Sequence, residues 1–168
     1  MKNLLSAVVG VLSSGILFFG VSQAAVLEDA ILWGYEEGLT SFSTTSSFRA
    51  YDSLRRDEAA KFLIEFSNIY GSALSNSTTN QACQKGILQG SNGKVMPDQQ
   101  LTNAQIVTTV VRIMAGYQSE YNVTHWADNY YKKAQELWLD MSKFWEKDAA
   151  TTRGNVIMLL YNAKNRGN

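Results

Sequence analysis

The chain has very few of the residues on which disulfide-rich domains, metalloproteins and most hydrolases depend. Its 168 residues include one cysteine (Cys83), one proline (Pro97) and one histidine (His125). A single cysteine excludes an intramolecular disulfide, and we interpret Cys83 as a small buried hydrophobic residue. Because no cluster of His, Cys or acidic residues has metal-ligand spacing, we predict no metal site and no cofactor.

The chain also has no excess of positive or negative charge. Fifteen Lys and Arg are balanced by fifteen Asp and Glu, which argues against a nucleic acid partner. His125 has no second base or nucleophile spaced with it, and Glu146 and Asp148 flank Lys147 as a solvated charge cluster would. These observations favour a protein that is not an enzyme.

The N-terminal segment is typical of a secretory signal peptide. Lys2 precedes an uncharged apolar run, Leu4 to Val21, which ends in Ser22-Gln23-Ala24. Ser22 and Ala24 are small residues at the two positions that a signal peptidase recognises. We predict that residues 1–24 are removed and that no transmembrane span remains. The alternative is an uncleaved membrane anchor, since a run of this length is near the lower limit for crossing a bilayer.

The remaining chain contains a threefold repeat. A short polar signal opens an apolar helical pattern at residues 54–58, 101–105 and 151–155. Arg56 and Asn103 are 47 residues apart, and Asn103 and Arg153 are 50 apart. Each signal also follows a bulky apolar residue, so the similarity extends beyond the five positions.

Each unit has the pattern of a helix, a loop and a second helix that begins at the polar signal. The predicted units span about 25–71, 77–116 and 124–168, with polar linkers at 72–79 and 117–124. One helix pair cannot bury its own apolar face. We therefore predict a single all-α domain in which three units share one core with pseudo-threefold symmetry and contact one another through their second helices. The middle second helix, Thr102 to Gly116, is apolar nearly all round and is expected to be buried.

The polar signals contain helix-capping residues. Thr102 and Gln105 have the spacing of a capping box, in which each side chain bonds the other residue's backbone amide. Thr152 and Asn155 approximate the same device, and Glu58 occupies the equivalent acidic position in the first unit. Capping alone explains most of these polar residues.

The arginines need another explanation. Arg56 and Arg153 fall at the first helical position, where a cation opposes the helix dipole at a cost of about 0.3–1 kcal/mol. Free amides at a helix N-terminus together with a guanidinium form a receptor for a carboxylate or phosphate group. The sequence therefore predicts anion binding at these helix starts.

Together these residues resemble the S-layer homology (SLH) domain, whose repeats carry a Thr-Arg-Ala-Glu-like signal at the second helix. The resemblance covers the chain after residue 24. It also includes His125-Trp126-Ala127, similar to the aromatic start of an SLH unit, and Gly86-Ile87-Leu88-Gln89-Gly90 followed by Gly93 and Met96-Pro97.

The resemblance implies a cell-surface protein that binds cell-wall polysaccharide non-covalently, often through pyruvylated sugars, in grooves between units. Peptidoglycan and other surface-layer proteins are further candidate partners. Carried over by position, it nominates Arg56 and Arg153 as carboxylate binders and Trp126 as a sugar-stacking platform. Asn103 departs from the pattern and is limited to hydrogen bonding.

A second hypothesis is an assembly module that has kept the fold and lost glycan binding. The departures in the second unit, such as Asn103 in place of arginine, favour it. The two hypotheses differ in whether the arginines are needed for glycan binding.

Overall fold

The computed structural model describes residues 23–70 and 96–165, and this part of the chain is helical. Its six helices are α1 (Gln23–Glu36), α2 (Thr45–Phe48), α3 (Arg56–Tyr70), α4 (Asn103–Ala115), α5 (Asp128–Glu136) and α6 (Arg153–Asn165). Within these residues the only β-type pairing consists of isolated bridges, so the all-α prediction is confirmed. None of the helices in these two ranges has the length and apolarity needed to cross a bilayer.

The second helices begin where the polar signals predict. Thr102 caps α4: its hydroxyl accepts the Gln105 amide at 3.3 Å, and the Gln105 side chain accepts the Thr102 amide at 3.1 Å. In α6 the Thr152 hydroxyl accepts the Asn155 amide at 3.2 Å. In α3 the residue at the cap position is Arg55, whose side chain cannot accept a hydrogen bond. Here the Glu58 carboxylate accepts a hydrogen bond from the Arg55 amide at 3.1 Å.

The residues just before these three helices bond to one another in a closed ring, here called the central ring and made of Leu54, Leu101 and Thr151. The Leu54 amide donates to Thr151 at 3.0 Å, Thr151 to Leu101 at 2.9 Å, and Leu101 to Leu54 at 2.9 Å. All three residues are fully buried. Segments that are 47 and 50 residues apart in sequence are therefore joined at the centre of the molecule.

The apolar helix faces pack in a pattern that the sequence did not predict in full. The pairs in extensive contact are α1 with α6, α4 with α5, α3 with α4 and α1 with α2. Contact among the second helices is thus extensive for α3 with α4, whereas α6 packs mainly on α1, where the Trp33 and Tyr161 ring centroids are 5.6 Å apart. As predicted, α4 is buried along most of its length, because α3 and α5 cover it.

The linker predicted at 117–124 has irregular backbone. Several other predictions fall outside the described residues: most of the signal peptide, the linker at 72–79, Cys83 and the Gly86–Gly90 motif.

Candidate functional site: the helix starts and the cleft beside α6

The backbone amides at the start of α6 all have acceptors. Arg153 donates to the Asp52 carbonyl at 3.0 Å and Gly154 to the Ala50 carbonyl at 2.7 Å. Asn155 and Val156 then donate to the Thr152 hydroxyl and carbonyl, at 3.2 and 3.1 Å.

The starts of α3 and α4 are arranged in the same way. Arg56 and Asp57 donate to the carbonyls of Gln99 and Pro97, at 2.9 and 3.1 Å. In α4 the backbone amides of Asn103 and Ala104 donate to the carbonyls of Ala149 and Lys147, at 2.9 and 2.8 Å. The expectation of free helix-terminal amides is wrong, because neighbouring segments of the same chain already satisfy these groups.

Arg153 ties α6 to the first unit. Its Nε donates to the Phe48 carbonyl at 2.7 Å, its Nη1 lies 2.5 Å from Glu58 Oε1, and its guanidinium carbon is 5.0 Å from the centroid of the Phe48 ring. Only 8% of Arg153 is exposed. The guanidinium is therefore largely committed to an internal ion pair, a carbonyl and an aromatic face.

The other residues nominated for glycan binding lie at different junctions. Arg56 is buried where α3 begins against residues 97–99. Asn103 is buried at the α4 start, where its Nδ2 donates to the Glu146 carbonyl at 3.0 Å. Trp126 is 39% exposed and its ring centroid lies 5.5 Å from that of His125. Asn103 and His125, the neighbour of Trp126, both contact residues 146–149, with His125 Nε2 3.3 Å from Asp148 Oδ1. Arg153 instead lies beside residues 50–52.

Arg55, the residue that replaces a capping threonine, is exposed and held by carboxylates. Its Nε and Nη2 donate to Asp57 at 3.1 and 2.7 Å, and Nη2 is 2.8 Å from Asp98. The hydrogen bond from Arg55 lowers the pKa of Asp57, and the same bond raises the pKa of Arg55. Arg55 therefore adds little net positive charge at the α3 start.

The lone histidine participates in a turn at the start of α5. Its Nδ1 accepts the Ala127 amide at 3.1 Å, and its own amide donates to Asp128 Oδ2 at 2.9 Å. Asp128 also accepts the Thr124 amide at 3.1 Å and the Lys147 ammonium at 2.5 Å. Asp128 thus joins the loop before α5 to the loop before α6. Within residues 23–70 and 96–165, no three His, Cys, Asp or Glu residues are grouped as metal ligands would be.

We predict that Asp128 makes the stability of the protein depend on pH. The His125 amide, then the Lys147 side chain, lower the pKa of Asp128 from its ordinary 3.8. A lowered folded-state pKa stabilises the protein above the unfolded pKa, and this contribution is lost as the pH falls through the folded value. Asp128→Asn is expected to lower the unfolding free energy at pH 7 and to flatten its decline below pH 4, as measured by urea unfolding across pH. Exposed Asp29→Asn is the control, and wild-type and Asp128→Asn curves of equal slope would contradict the assignment.

A pair of adjoining clefts lies beside the start of α6. The larger has a volume of about 380 Å³ and is lined by Leu27, Ala50, Tyr51, Lys143, Thr152, Gly154, Asn155 and Met158. The smaller, of about 230 Å³, shares Lys143, Asn155 and Met158 with it and adds polar groups from Asp140, Asn162 and Asn165. Tyr51 is 81% exposed, so its ring is accessible at the larger cleft.

Neither Tyr51 nor Lys143 was predicted from the sequence as a site residue. Of the predicted residues, only the capping pair Thr152 and Asn155 line this cleft. Tyr51 directly follows a buried alanine, and Lys143 is between buried Met141 and Phe144. Both residues are exposed loop residues beside buried ones. Many surface loops share this pattern, so it does not identify a binding residue.

Comparison of the chain with protein-family models gives no match, and comparison with curated proteins gives none either.

Proposed function

We propose that this is a secreted bacterial cell-surface protein made of three SLH units, which attaches non-covalently to anionic, often pyruvylated, cell-wall polysaccharide and so anchors to the envelope. The pseudo-threefold arrangement of units is supported by the central ring, because each of its members stands at the same position of the repeat. The equivalent bonds at Arg56, Asn103 and Arg153 support it further.

The observation that carries the glycan-binding proposal is the cleft pair beside α6. Sugars are bound by aromatic faces, which pack on their C–H groups, together with amide and carboxylate groups that bond their hydroxyls. The clefts place the exposed Tyr51 ring near Asn155, with Asn162 and Asp140 in the smaller cleft. Their combined volume suits a ligand of one to two sugar rings.

A protein-assembly module is the second candidate. One observation favours it: Trp138, 85% exposed, has a φ of 57° at the end of α5. A bulky residue in the left-handed region has a strained backbone, and strained residues cluster at functional sites. Sedimentation velocity of the purified protein over a hundredfold concentration range tests this candidate directly.

The glycan proposal is best tested by altering the ligand, because Arg56 and Arg153 are buried and their removal perturbs the fold. The purified protein is co-sedimented with isolated bacterial cell walls before and after mild acid removes the acidic substituents. We expect binding to native walls that falls about tenfold or more after acid treatment, as the loss of one charge-assisted contact implies. If the folded protein does not bind native walls, the glycan proposal is overturned and the assembly module becomes the favoured candidate.

A further inference from the structure

The positive charge available to a ligand in the α6 cleft comes from Lys143. Of the described residues, those that line the larger cleft include no acidic residue, and Lys143 is the only Lys or Arg among them. Lys143 is exposed and has no ion-pair partner within residues 23–70 and 96–165. Arg153, by contrast, is bound to Glu58 and to the Phe48 carbonyl. We propose that Lys143 binds the carboxylate of the polysaccharide in the larger cleft, an inference that rests on the proposed function.

The backbone that carries Lys143 is fixed. Met141 and Phe144, on either side of it in sequence, are 4% and 2% exposed, and the Phe144 amide donates to the Met141 carbonyl at 3.0 Å. The Tyr131 hydroxyl then donates to the Phe144 carbonyl at 2.7 Å. A flexible lysine side chain on an anchored turn covers a defined part of the cleft, and its ammonium binds a carboxylate as a point charge.

The facing side of the larger cleft is equally anchored. Ala50, which precedes Tyr51, is buried, and its carbonyl accepts the Gly154 amide at 2.7 Å. Tyr51 therefore offers an accessible ring from a fixed backbone position. The pair suits a carboxylated sugar, whose apolar face packs on Tyr51 while the carboxylate pairs with Lys143.

Asp140 determines which of the two clefts receives the negative charge. Its side chain lines the smaller cleft only, and its Oδ1 accepts the Ser142 amide at 2.9 Å. A ligand carboxylate beside it would meet a like charge, whereas uncharged sugar hydroxyls would find an acceptor. The carboxylate therefore belongs in the larger cleft and a neutral part of the glycan in the smaller one.

The test is an NMR titration of the ¹⁵N-labelled protein with a methyl glucopyranoside that carries a 4,6-linked pyruvate acetal, and with the methyl ester of the same acetal. We expect saturable shifts at Tyr51, Lys143 and Asn155 with the acid and much weaker ones with the ester. Lys143→Gln should weaken binding of the acid about tenfold, Lys143→Arg should keep it within about threefold, and exposed Lys132→Gln should leave it unchanged. Asp140→Asn should change the affinity by about twofold or less, because its charge is outside the larger cleft.

Each remaining outcome overturns the inference. If Lys143→Gln binds the acetal as tightly as the wild type, or if Asp140→Asn binds it much more tightly, Lys143 is not the group that binds the carboxylate. Shifts confined to Asn103 and Trp126 would move the site to the α4 start. If the wild-type protein sediments with native walls but does not bind the acetal, the Lys143 assignment fails and the proposed function stands. If it binds neither the walls nor the acetal, the proposed function fails as well.

Discussion

Glu58→Ala is expected to lower the free energy of unfolding by about 2 kcal/mol. This is less than the cost of removing one partner from a fully buried ion pair, because Arg153 is buried but 33% of the Glu58 side chain is exposed. The Arg153 side chain, which is 9% exposed, would lose its carboxylate partner and remain beside the Phe48 and Phe62 rings with only the Phe48 carbonyl as acceptor among the contacts described above. The same substitution removes the acceptor of the Arg55 amide at the start of α3. One residue therefore supports both a helix cap and a contact between segments 95 residues apart.

Urea unfolding of the purified variants at pH 7 measures this cost. Glu136→Ala is the matched control, because it breaks the exposed Lys133–Glu136 pair and such pairs contribute about 0.5 kcal/mol or less. The loss of unfolding free energy in Glu58→Gln should lie between those of the two alanine variants, because the amide oxygen still accepts hydrogen bonds but carries no charge. The double variant Glu58→Ala/Arg153→Met should be more stable than Glu58→Ala, because it removes the uncompensated charge. A Glu58→Ala cost equal to that of Glu136→Ala would contradict the structural role of this pair.

Gly154→Ala is expected to cost about 2 kcal/mol through overpacking. A Cβ at Gly154 would lie 2.8 Å from the Ala50 carbonyl oxygen and 3.2 Å from the Ala50 Cβ. That oxygen accepts the Gly154 amide, and it belongs to buried backbone that cannot move alone.

Gly34→Ala separates this steric effect from the general effect of replacing a helical glycine. Its Cβ would lie 2.6 Å from Ile157 Cδ1, the end of a side chain that can change rotamer. A gain of about 0.5–1 kcal/mol in helix propensity offsets that adjustment, so the net change should stay within about 1 kcal/mol. Denaturant unfolding compares the two variants, and a Gly154→Ala protein as stable as Gly34→Ala would show that the α6 junction is not tightly packed.

The helices were predictable because their signals are local. Thr102 and Gln105 are three residues apart, and the apolar spacing of α4 is contained in its own thirteen residues. The partners of the helix-start amides were not predictable in this way. The acceptors of the first two amides of each helix lie 40–46 residues away for α3 and α4 and 101–104 residues away for α6. Nothing in the sequence around Gly154 indicates that Ala50 faces it.

The same distinction explains the candidate site. Arg153 was expected to meet a ligand because a cation at a helix start is locally unfavourable. Its partner Glu58, in the first unit, supplies the compensation. The cleft brings together α1, the turn at residues 50–51, the loop at Lys143 and α6, and such an assembly depends on tertiary packing that no single stretch encodes.

We propose that the protein recognises the acidic groups of a wall polysaccharide. The most direct test is calorimetric titration of the purified protein with polysaccharide released from bacterial walls, alongside the same material after its carboxylates have been reduced to neutral alcohols. We predict saturable binding of the acidic polymer that weakens about tenfold or more in the reduced form and at high salt. Equal affinity for the two polymers, or no binding of either by the folded protein, would contradict the claim.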